Sequence, residues 1–129
     1  MRFRFAALCL VCLAFPVTAL GAAPLTVVVH APGHAPKVNQ KWPWSLTATS
    51  GGKPVAGTVT AQIVDPVGGV HAVEFGGVKS KFVTNVKFKG TFRDFVIYPP
   101  ISRSIKVTFR VTVKTALGTR VFKYWVQAR

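Results

Sequence analysis

The chain is predicted to be an all-β protein, an antiparallel two-sheet sandwich of about seven strands preceded by a secretory signal peptide. Three observations predict this. Apolar and polar residues alternate with period two through most of the chain, and clusters of Gly, Pro and Asp interrupt the alternation at intervals of roughly ten residues. The N-terminus has the charged, apolar and small-residue regions of an export signal. The composition supports one packed domain: 129 residues, 50% hydrophobic, with 10 Phe and 3 Trp, supply enough apolar surface for a core despite a formal net charge of +14.

The export segment runs over residues 1–21. Arg2 and Arg4 precede an apolar run from Ala6 to Leu20, and Ala19 and Gly21 occupy the −3 and −1 positions of a cleavage site before Ala22. The run is shorter than the roughly 20 residues of a spanning helix, and Pro16 interrupts it, so cleavage is expected rather than membrane anchoring. Cys9 and Cys12 leave with the segment. The mature domain, residues 22–129, then has no thiol, which removes disulfides, a thiolate nucleophile and a Cys-ligated metal from consideration. It loses Arg2 and Arg4 as well, leaving 15 basic residues against Asp65, Glu74 and Asp94, a net charge of +12.

Strand formers then recur along the mature chain. Leu25 to His30 is a β-branched run that ends at Ala31-Pro32-Gly33. Trp42, Trp44, Leu46 and Ala48 alternate with polar or turn-forming neighbours up to the Ser50-Gly51-Gly52-Lys53-Pro54 turn, and this places both tryptophans in the core. Val59, Ala61 and Ile63 repeat the pattern as far as Asp65-Pro66-Val67-Gly68-Gly69. Val70 to Phe75, a run from about Val78 to Phe88, and Phe92 to Tyr98 add two or three strands before Pro99-Pro100 ends the series. The strongest alternation is the last. Ile105, Val107, Phe109, Val111 and Val113 face one way along a long strand, and Arg120 to Val126 returns beside it after a Gly118-containing turn. A small closed barrel is the competing architecture.

The segment from Lys41 to Thr60, with its Gly-Lys-Pro-Val connection at Gly52 to Val55, resembles the second and third strands of bacterial immunoglobulin-like extracellular domains. The closing hairpin from Ile105 to Val126 is similar to the last two strands of the same domains. The resemblance implies a secreted or surface-displayed binding or spacer module, and it transfers no catalytic residue.

Candidate chemistry is sparse. The three carboxylates are isolated, and the side chain of Asp65 is expected to bond nearby backbone amides in its Asp-Pro turn. Gly51-Gly52-Lys53 lacks the upstream glycine of a phosphate loop, so no enzymatic activity is expected. His30 and His34 flank a Pro-Gly loop and form a metal site with His71 only if the three converge within coordination distance, and no metal or other cofactor is expected. Trp125 is expected to stand outward between Lys123 and Gln127, beside cations. Lys79, Lys81, Lys87 and Lys89 recur at alternate positions, and Lys106, Arg110 and Lys114 lie four residues apart on the polar face of the long strand. Because one sheet face collects every second residue, these cations form stripes.

The ligand-binding candidates are therefore Lys106, Arg110, Lys114, Lys123 and Trp125. Function is expected to be non-catalytic adhesion, binding or structural support at the cell envelope or outside the cell, through contact with an anionic envelope polymer or an anionic lipid surface. Export makes nucleic acid a poor physiological partner. A glycan-binding module would need Trp125 or Tyr98 exposed on a flat face, and a small metal-binding or hydrolytic protein would need the histidines together. Lysines that guard strand edges and maintain solubility are the bland alternative for the charge.

Overall fold

The computed structural model describes residues 23–76 and 81–129. The export segment, with Cys9 and Cys12, and the lysine at position 79 lie outside the described residues. The strands are β1 (Leu25–His30), β2 (Lys41–Ser50), β3 (Lys53–Pro54), β4 (Ala56–Val64), β5 (Val70–Ala72), β6 (Val86–Lys89), β7 (Thr91–Ile97), β8 (Lys106–Thr115) and β9 (Gly118–Gln127). All pairings between them are antiparallel. One ladder runs β1-β2-β7-β6-β4-β8-β9, with β3 on β2 and β5 on β4. Its weakest link is the β6–β7 corner, where Lys89 opposite Thr91 is the single paired position. The ladder folds over at that corner into two antiparallel sheets, β1-β2-β7 and β4-β8-β9, which pack face to face as an all-β sandwich.

The period-two pattern explains the packing. Trp42, Trp44, Leu46 and Ala48 point inward from β2, and Val107, Phe109, Val111 and Val113 point inward from β8; all eight are buried. Phe109 projects between the two tryptophans, with ring centroids 5.3 Å from Trp42 and 5.1 Å from Trp44, both edge to face. The inward assignment of both tryptophans therefore holds. Gly57 allows close approach of the next strand: a Cβ there would collide with the carbonyl oxygen of Lys114 on β8.

The structure departs from the sequence reading at two strand ends. The strand expected from Val70 to Phe75 stops at Ala72, and beyond it only an isolated bridge joins Glu74 to Phe82. Ile105, assigned to the inward series of β8, lies before the strand starts and is 42% exposed. Between β7 and β8 the chain makes a single 3-10 turn, Pro100–Ser102, because Pro100 supplies a fixed φ at its first position and has no N–H to satisfy there.

A candidate anion-binding face

Strand register decides which cations share a surface. The β8–β9 turn is two residues long, with Thr115 paired to Gly118, so Arg110 lies directly opposite Lys123 and Lys106 opposite Gln127. On the other side of β8, Lys114 faces Thr58 and Arg110 faces Gln62, while Thr58 in turn faces Lys87 on β6. The solvent face of this sheet thus joins Lys106, Arg110 and Lys114 to Lys123, with Lys87 and Lys89 continuing it past β4. No carboxylate stands on these strands. The opposite sheet is less basic, since β1, β2, β3 and β7 together carry Lys41, Lys53 and Arg93, with Asp94 beside them.

The central cation is fixed in place. Arg110 donates from Nε and Nη2 to Oε1 of Gln62, at 3.2 and 2.8 Å, so a neutral amide orients the guanidinium without cancelling its charge. Lys123 stands directly across from it, and like charges in that arrangement repel. Among the described residues the one ion pair is His71 with Asp65, so no Lys or Arg there has a carboxylate within pairing distance.

Trp125 is 46% exposed, as its outward assignment requires, but its ring is already engaged. His34 stacks on it with centroids 3.9 Å apart and planes 7° apart, and the Lys106 ammonium stands over the indole at 4.9 Å. His34 Nδ1 also lies 2.6 Å from the Trp125 carbonyl oxygen, and the Gln127 amide donates to the His34 carbonyl, so this loop covers the edge of β9. The indole offers an edge rather than the open flat face that sugar stacking needs. Tyr98 is 3% exposed and offers no flat face either. The sequence holds no periodic signal for the His34 stack or for the Gln62 contact, since both join residues distant along the chain.

The histidines are dispersed. His30 ends β1 opposite Ser45, His34 lies against β9, and His71 Nε2 is 2.9 Å from Asp65 Oδ2. Among the described residues no cluster of three His, Cys, Asp or Glu side chains could hold a metal ion. Asp65 Oδ1 accepts from the Val67 and Gly69 amides, the turn bonding expected of it. The His71 hydrogen bond, followed by the Gly69 amide, holds its carboxyl below the ordinary value of 3.8. A depressed native pKa contributes stability that is complete well above 3.8 and is lost as pH falls through the native value. Urea midpoints at about pH 6 and about pH 3 should therefore fall more for the parent than for Asp65→Asn, which has no carboxylate to protonate.

Comparison with protein-family models, with curated proteins and with solved structures finds no match for this chain. No helix of the described residues is long and apolar enough to cross a membrane.

Proposed function

We propose that the protein is an exported, non-catalytic immunoglobulin-like domain that acts in adhesion, binding or structural support at the cell envelope, and that the outer face of β4, β8 and β9 binds anionic polymers or anionic lipid surfaces. The observation that carries this reading is the unneutralised pair of Arg110 and Lys123 at the centre of a face with Lys106 and Lys114 at its ends. Cations that only guard strand edges belong on edge strands, yet β8 is flanked on both sides by β4 and β9.

The spacing suits an extended ligand. Four residues along a strand cover about 13–14 Å, so Lys106, Arg110 and Lys114 reach successive charges of a polymer or several lipid headgroups rather than one small anion. Vesicles with a third phosphatidylglycerol should sediment the protein at low ionic strength, and binding should weaken steeply once salt shortens the screening length to about 8 Å. Neutral phosphatidylcholine vesicles should not sediment it. Equal sedimentation by both, or none by either, refutes the proposal.

A further inference from the structure

β9 ends the strand order, so one of its edges has no neighbouring strand. In an antiparallel pair closed by a two-residue turn, alternate residues direct both backbone groups at the partner strand, and the residues between them direct theirs away. The closing pair of Thr115 and Gly118 gives the even-numbered residues of β9 to β8 and turns Thr119, Val121, Lys123, Trp125 and Gln127 outward. The contacts at the far end of the strand obey this parity. His34 Nδ1 bonds the Trp125 carbonyl, the Gln127 amide donates to the His34 carbonyl, and the Arg129 amide donates to the Pro36 carbonyl. The loop of residues 34–38 therefore caps the edge from Trp125 onward and leaves the earlier part open.

Among the described residues the amides of Thr119, Val121 and Lys123 and the carbonyls of Val121 and Lys123 have no hydrogen-bond partner. The Thr119 carbonyl accepts only from the exposed side chain of Arg120, at 3.1 Å. The register with β8 continues through this stretch without a bulge, and β9 contains no proline. Such a row of unpaired groups is a template for one more strand.

Two features select what pairs there. The first is charge. Lys123 stands on the edge with Arg110 directly behind it, Lys114 lies behind Thr119, and β8 and β9 carry no carboxylate. A second copy of the chain would bring its own Lys123 and Arg120 against these cations, whereas an acidic strand replaces that repulsion by attraction. The second feature is the inner side of the same edge. Phe122 belongs to the core-facing series of β9 yet is only partly buried, so an added strand with apolar residues at alternate positions extends the core over it.

We propose that the edge of β9 from Thr119 to Lys123 binds an extended acidic segment of a partner protein as an added strand. The segment pairs antiparallel, like every other strand here, with carboxylates on the outer face beside Lys123 and apolar residues inward beside Phe122. Backbone groups carry this contact, which separates it from the side-chain contacts of the basic face.

A suitable probe is the peptide acetyl-Thr-Glu-Val-Glu-Val-Glu-Thr-amide in an amide-resolved NMR titration. It should shift the amides of Thr119, Val121 and Lys123 saturably and slow their hydrogen exchange. In the antiparallel arrangement the Glu residues of the peptide share a face with Val121 and turn their backbone groups toward β9. N-methylation of the central Glu keeps every charge, removes one donor and puts a methyl group between the strands, so binding should weaken by at least about tenfold. Val121→Pro removes the matching donor of the protein but no bond to β8, so the fold should survive. Its affinity for the peptide should fall by a similar factor, while its sedimentation with phosphatidylglycerol vesicles stays at the parent level. Equal affinity for the plain and N-methylated peptides would reduce the contact to charge alone and overturn the proposal. So would unchanged affinity in a natively folded Val121→Pro variant, or an absence of saturable shifts at the three amides. Protection of those amides in the protein alone as its concentration rises would give the edge to a second copy and overturn it as well.

Discussion

Replacing Phe109 by Ala should lower stability by about 3–5 kcal/mol, a large fraction of the roughly 5–15 kcal/mol available to a domain of this size. Phe109 is 1% exposed on the central strand of one sheet and fills the gap between Trp42 and Trp44 of the other. Truncation removes the apolar contact and both edge-to-face pairs, and leaves a cavity that two rigid indoles cannot close. Lys114→Ala on the opposite face of the same strand should cost less than about 0.5 kcal/mol. Urea denaturation of the two variants measures the difference, and a reversed ranking would overturn the inside-outside assignment of β8.

Converting Lys106, Arg110 and Lys114 together to Glu should weaken binding to anionic vesicles by at least about a hundredfold. Each cation near an anionic surface contributes about 1 kcal/mol, so losing three already removes about 3 kcal/mol, and the new carboxylates add repulsion. The apolar face of β8 is untouched. A new Glu at 110 also stands opposite Lys123, replacing like-charge repulsion by attraction, so thermal unfolding should show a folded protein. If the triple variant sediments with the vesicles as the parent does, the cations of β8 are not the contact surface.

The alternation of Trp42, Trp44, Leu46 and Ala48 and that of Val107 to Val113 made the core and the all-β class readable, because a period of two leaves one choice of buried face. The outward position of Lys106, Arg110 and Lys114 followed from the same alternation. The partner of Arg110 did not, since pairing it with Lys123 depends on a turn of two residues, and the Thr115 to Thr119 stretch is compatible with several turn lengths. Ile105 was misassigned because its alternation with Val107 continues past the point where the Pro100–Ser102 turn delivers the chain to the sheet.

Amide chemical-shift mapping with a polyphosphate chain locates the anion contacts proposed for the outer face of the β4-β8-β9 sheet. Saturable shifts should concentrate at Thr58 to Gln62, Lys106 to Lys114 and Val121 to Trp125 and fade as salt rises. Shifts spread evenly over the molecule, or centred on the Lys41 and Arg93 face of the other sheet, would contradict that proposal.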